Sequence, residues 1–311
     1  MPDCLKGIAG KGKRIYLGAG TLRPETMYGQ TNCWILPTGK YAAFDIMGDI
    51  IIATHRSAKN MAWQDLTSAP GKLDCVLDDI LGQDLIGAKL KAPLSALEYV
   101  YCLPLLTISM KKGTAIVTSV PSDSPDDYMA LKDLKGTTKK GYDLREKYKV
   151  KEEWVMPFDV IAIMSVPEVI LNPDCKDKGA RVDKAAEYYC EWQKVASQQD
   201  DKKLKDAHDK VYKAGFYGGI MLMGSQKGGK VEDAKPIIKK EMVEAKQAFL
   251  YSEPDKEVMS RSGDECVVAL VDQWYLKYGE PEWQKKVIID RHDELSLSVC
   301  PQLTLSLFAL N

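Results

Sequence analysis

Gly20-Thr21-Leu22-Arg23-Pro24-Glu25-Thr26-Met27-Tyr28-Gly29-Gln30 sets two threonines, an arginine and a glutamate within six positions, with a proline fixing the backbone midway. A strand-like run, Arg14-Ile15-Tyr16-Leu17-Gly18-Ala19, leads into it, and a second apolar run, Cys33-Trp34-Ile35-Leu36, leads out and ends at Pro37. The polar segment therefore belongs to neither strand and forms a rigid connection between them. Taken alone it is equally a plain turn, with Pro24 at its second position and Thr21 or Thr26 tying back the chain.

Working outward, short strands dominate from Arg14 to Val120: Asp49–Thr54, Leu85–Leu90, Glu98–Leu103 and Gly113–Val120, with a helical stretch at Ser57–Trp63 and prolines at 93, 104 and 121 between them. Many short strands with few intervening helices suggest a barrel or curled sheet over a doubly wound fold. The second half carries dense Lys, Asp and Glu at helical spacing around 125–148 and 182–214. A glycine-rich strand is expected at Phe216–Met223. A helix is expected from Val231 to Ala248, with Pro236 either in its first turn or kinking it. The charged stretch 175–213 fits a solvated helical face. Gly228-Gly229-Lys230 lacks both the first glycine and the Ser/Thr of a phosphate loop.

At 311 residues, 45% apolar and 28% charged, the composition is that of a globular protein with a substantial core. A net charge of −1 disfavours a tight, free-standing nucleic-acid binder and requires any anionic partner to be held by a local patch. Eight scattered cysteines with no Cys-x-x-Cys, and three isolated histidines, argue against a zinc site or disulfide framework and for a reducing compartment. The N-terminus lacks a signal-peptide core and no run reaches the length of a membrane span, so a cytoplasmic location and no membrane partner are expected.

Pro121-Ser122-Asp123-Ser124-Pro125-Asp126-Asp127-Tyr128 is a good helix start, with Ser124 as N-cap, Pro125 at N1 and two acids in the first turn. Capping alone would explain it. Together, however, Thr21–Thr26, Gly113-Thr114 and Val120–Asp127 closely resemble the editing domain of leucyl-tRNA synthetases of the archaeal and eukaryotic cytosolic type. Gly29–Trp34, Lys213–Tyr217, Met259–Cys266 and Leu270–Leu276 resemble it too, in collinear order from about residue 12 to about 285.

The resemblance implies an α+β fold, a β-barrel core with peripheral helices, divided as an editing domain (12–255), a return segment towards the parent catalytic domain (256–285) and an atypical tail (286–311). It also implies hydrolysis of mischarged tRNA(Leu), carrying norvaline, isoleucine or methionine, by a positioned water. By resemblance, Asp127 grips the α-ammonium, Thr26 crowds out leucine, and Thr21 and Arg23 hold the ester and terminal adenosine. Thr118 and Val120 line the amino-acid pocket, with Leu22, Gly113, Thr114 and Asp126 as further substrate contacts. No cofactor is implied. The partners implied are the acceptor end of tRNA(Leu) and the rest of the synthetase, with the fragment itself monomeric.

The chemistry suits these residue types. The ester is already activated, so catalysis by orientation and oxyanion hydrogen bonding needs no Ser, Cys or His nucleophile. Rejecting the cognate residue by steric clash achieves more than a missing methylene, worth about 1–3 kcal/mol. Two departures stand out: Ala115 replaces the second glycine of a Gly-Thr-Gly, and Lys285–Asn311 resembles nothing expected there. Neither a His-x-Gly-His-type nor a Lys-Met-Ser-Lys-Ser motif occurs, so no leucine activation is expected. A free-standing deacylase and a non-catalytic tRNA- or partner-binding module are the rival functions.

Overall fold

The computed structural model describes residues 1–9, 12–137, 139–156, 158–272, 274 and 279–286. The atypical tail beyond 286, and Gln273, Tyr275 and Leu276 of the resemblance, lie outside them.

Eleven strands are described: β1 (Ile15–Leu17), β2 (Asn32–Ile35), β3 (Lys40–Ile46), β4 (Asp49–Ala53), β5 (Cys75–Leu81), β6 (Lys89–Leu90), β7 (Val100–Pro104), β8 (Ile116–Ser119), β9 (Met164–Pro167), β10 (Arg181–Val182) and β11 (Ile220–Met221). The α-helices are α1 (His55–Ala62), α2 (Pro125–Lys132), α3 (Lys139–Lys147), α4 (Glu168–Leu171), α5 (Ala185–Trp192), α6 (Asp201–Gly218) and α7 (Val231–Glu244). One sheet runs β1-β4-β3-β5, a second β6-β7-β2-β8 and a third β10-β9-β11.

Strand alternation explains the layering. Cys33 and Ile35 of β2, Tyr41 and Ala43 of β3, Ile50 and Ile52 of β4, and Ile116 of β8 share one core, joined by Leu5 and Ile8 from the N-terminal segment. The two four-stranded sheets thus face each other. Alternate residues point the other way. Phe44, Ile46 and Ile51 pack on Ala58 and Met61 of α1, and Trp34 and Leu103 pack on Ala130 and Leu131 of α2. The helical half surrounds the third sheet, with Met164, Val166, Tyr189, Val211 and Ile238 in one further cluster.

The α+β class is as expected, but among the described residues no sheet closes into a barrel. Closure would need β1 or β5 to pair with β6 or β8. Edge strands of three and two residues, β1 and β6, offer little ladder for that.

Three further expectations are corrected. Phe216–Met223 is not one strand. Helix α6 continues to Gly218, and Gly219 ends it, closing so tightly on the Gly215 carbonyl that a Cβ there would lie 2.2 Å from that oxygen. Of Leu85–Leu90, only Lys89–Leu90 is extended, because Gly82–Leu85 forms a 3-10 turn. Pro236 sits in the second turn of α7, where it removes one intrahelical hydrogen bond. Among the described residues, no helix is long and apolar enough to cross a membrane.

Candidate active site

The Thr21–Thr26 stretch is a knot of short-range bonds. The Thr21 Oγ1 accepts from the Arg23 N–H at 2.9 Å, and the Arg23 carbonyl accepts from both the Thr26 N–H (3.0 Å) and the Thr26 hydroxyl (2.8 Å). Pro24 opens a 3-10 helix over Pro24–Gly29, its fixed φ suiting the first position. Thr26 is buried, whereas Thr21 is exposed and Leu22 stands 81% exposed at the loop's tip.

Arg23 turns inward. Its Nε donates to the fully buried Glu25 carboxylate at 3.2 Å, and its guanidinium lies 4.9 Å from the ring centroid of Tyr212 on α6. The Arg23 Nη2 and Glu25 Oε2 are buried without a partner. Asp123, also buried, completes this cluster. Burial pushes its carboxyl up to about 6 against the pull of Arg23 and of the Ser122 hydroxyl, and Glu25 adds repulsion.

Strand register brings the two sequence stretches together. The loop leaves β1 at Gly18, where a Cβ would lie 4.0 Å from the Thr114 methyl just before β8. It enters β2 through Thr31, whose N–H donates to Ser119 at the far end of β8. The loop therefore runs the length of β8, about 13 Å at 3.3 Å per residue.

At that far end the chain turns into α2. The Ser124 hydroxyl accepts from the Asp127 N–H at 3.3 Å, so the expected cap forms. The Asp127 side chain points inward, with 7% exposure. Its Oδ1 accepts from the Trp34 indole N–H at 2.9 Å and its Oδ2 from the Val120 N–H at 2.9 Å. Burial raises this carboxyl to about 6, opposed by those bonds and the cap, and the neighbouring Asp126 adds repulsion. A carboxylate so held is a fixed anionic acceptor, suited to an ammonium group.

Not every expected residue joins it. Val120 does, through its N–H, with its side chain packed in the cluster that holds Met27. Thr118 pairs with Cys33, on the sheet face opposite the one carrying Trp34. Asp126 is exposed and looks towards His208 and Asp201 of α6, away from Asp127's partners. Gly113 and Thr114 stand at the loop's other end. There the Gly113 N–H donates to Glu253 at 2.8 Å, and Glu253 is also bonded to Arg56. Ala115 adopts φ +56°, the left-handed conformation a glycine would take without cost. Trp34, Asp123, Tyr212 and Glu253 carry no role in the sequence reading, although Trp34 and Asp123 lie in stretches it singles out. Among the described residues, no group of three or more His, Cys, Asp or Glu is placed to hold a metal ion.

Comparisons with known proteins follow the same lines. The cytoplasmic leucine–tRNA ligase of Dictyostelium discoideum is 50% identical over 291 residues, 93% of this chain and 26% of that protein. That of Arabidopsis thaliana is 51% identical over 276 residues, 88% of this chain and 24% of that protein. The chain thus spans about a quarter of the length of the curated relatives it matches. A solved structure described as GlLeuRS-CP1 is 41% identical with a TM-score of 0.68, covering 77% of this chain and 80% of that one. The P. falciparum cytosolic leucyl-tRNA synthetase editing domain is 29% identical with a TM-score of 0.68, covering 78% and 81%. No protein-family model matches the chain.

Proposed function

The chain belongs to the family of leucyl-tRNA synthetase editing domains, and from that premise we propose that it hydrolyses the ester of mischarged tRNA(Leu) as one module of a cytoplasmic leucine–tRNA ligase. Norvalyl, isoleucyl and methionyl esters are the substrates. Water adds to the ester carbonyl carbon, the bond to the ribose oxygen breaks, and that oxygen leaves with a proton. The amino acid and an uncharged tRNA result.

The observation that carries this is the Asp127 carboxylate, buried and held by two N–H donors at the β8–α2 junction beside the threonine-rich loop. Asp127 receives the α-ammonium and thereby places the carbonyl. Thr26, buried in the loop and tied to Arg23, bounds the side-chain space. Thr21 and Leu22, exposed at the loop's tip, meet the ribose and adenine. Arg23, locked inward, supports the loop's shape. We assign the editing unit to 12–255. Beyond it, 256–285 leads back to a synthetic domain, the acceptor end of tRNA(Leu) being the other partner.

The test compares deacylation of isoleucyl-tRNA(Leu) and leucyl-tRNA(Leu), with Asp127→Ala as control. Selective loss of the isoleucyl ester, abolished in the variant, is expected. Equal hydrolysis of both esters, or full activity in Asp127→Ala, would refute the assignment.

A further inference from the structure

We infer that Trp34 is a positioning residue, its indole N–H setting the orientation of the Asp127 carboxylate and holding that group in its ionised form. This role matters to catalysis through the function proposed above, and rests on it to that extent.

The geometry is specific. Trp34 is fully buried on β2, flanked in register by Leu103 of β7 and Val117 of β8, with its ring in the cluster that receives Ala130 and Leu131 of α2. A buried indole needs an acceptor, and any nearby backbone carbonyl would satisfy stability alone. Here it is given to a carboxylate 93 positions away in the chain, at 2.9 Å. The other oxygen takes the Val120 N–H at the same distance. The carboxylate is therefore clamped from two directions, and the lone pairs left free face a fixed direction.

Both clamps are pure donors: neither an indole N–H nor a backbone N–H can accept a proton. Protonating either engaged lone pair breaks a bond, so the pair favours the anion against the desolvation that opposes it. The other charges nearby are turned elsewhere. Asp126 is the one carboxylate that perturbs Asp127. His208 and Asp201 of α6 act on Asp126, and Glu187 and Glu191 of α5 act on Tyr128. The Ser124 hydroxyl of the cap also favours the Asp127 anion, but Trp34 is the side-chain donor that reaches it from the sheet.

The direct test follows the Asp127 carboxyl carbon by NMR in aspartate-labelled protein across pH 4 to 9, with the signal assigned by its loss in Asp127→Asn. An N–H donor stabilises the carboxylate and not the neutral acid, so Trp34→Phe should raise the midpoint by about one pH unit or more. With the starting value near 6, deacylation in Trp34→Phe should fall about fivefold at pH 6, stay nearly unchanged at pH 8, and alter kcat rather than KM for tRNA. Because phenylalanine also leaves a cavity, a second variant carries β-(3-benzothienyl)alanine at position 34, which keeps the bicyclic shape and puts a sulfur, which cannot donate, in place of the N–H. Its midpoint should rise equally.

An unchanged midpoint in both variants would overturn the inference, whatever happened to thermal stability. A raised midpoint in a protein whose parent chain hydrolyses no aminoacyl ester would support the inference about Trp34 and refute the proposed function instead.

Discussion

Asp123→Asn should stabilise the protein at neutral and alkaline pH. Asp123 is 4% exposed and shares the surroundings of one guanidinium, that of Arg23, with a second buried carboxylate, Glu25. Two buried anions against one buried cation leave a net negative charge with little water to solvate it. Burial accordingly raises the Asp123 carboxyl from 3.8 to about 6. Because the folded value lies above the unfolded one, between about pH 4 and 6 the folded chain keeps a proton that the unfolded chain releases. Stability therefore falls as pH rises through that window, and the deficit is complete above it. About 2 pH units at about 1.4 kcal/mol each gives about 3 kcal/mol. Asparagine cannot ionise and keeps an oxygen for the Ser122 hydroxyl.

Urea unfolding should show wild type and Asp123→Asn nearly equal at pH 4. At pH 8 the variant should be about 3 kcal/mol more stable, or about 6–12 °C higher in Tm, with the same m-value. Asp127 titrates in the same window but is present in both proteins and cancels in the difference. A variant less stable than wild type at pH 8, or a difference that does not vary with pH, would refute the reasoning.

Thr26→Ala should admit leucine, so that leucyl-tRNA(Leu) is hydrolysed at a rate approaching that of the isoleucyl ester; unchanged discrimination would show that Thr26 does not bound the side-chain space. Arg56→Ala removes the cation between Glu253 and Glu265, leaving both carboxylates largely buried. Loss of one partner from such a cluster costs about 3–5 kcal/mol. Limited proteolysis should then cut within 251–270, a segment otherwise also held by Asn60, Trp63 and Gln64.

Local turn and cap chemistry is more legible in the sequence than the sheets are. Pro24 and the paired threonines announce a rigid connection, and Ser124-Pro125 announces a helix start; both form. Capping leaves the Asp127 carboxylate free for another use, because its backbone meets the cap while its side chain turns to the core. The β3–β4 hairpin was missed because its two-residue turn is Met47-Gly48, both at positive φ, where an Asn or Asp before the glycine would have signalled it. Strand β5 hides behind a register shift and a left-handed Asp79. Polar partners far apart in the chain leave no local pattern, so the pairings of Trp34 with Asp127 and of Gly113 with Glu253 were invisible. The inward turn of Arg23 onto Tyr212 was hidden for the same reason.

Strand β2 carries a consequence for synthesis on the ribosome. Among the described residues its register partners are β7 and β8, so Cys33 must wait for Cys102 on one side and Thr118 on the other. Until then Cys33-Trp34-Ile35-Leu36 is an apolar segment with both edges unpaired, a template for association with other nascent chains. Such long-range closure is slow. A chain halted before Ser119 should aggregate. One released after α2 has emerged can bury Trp34 at once, and in the same event engages Asp127.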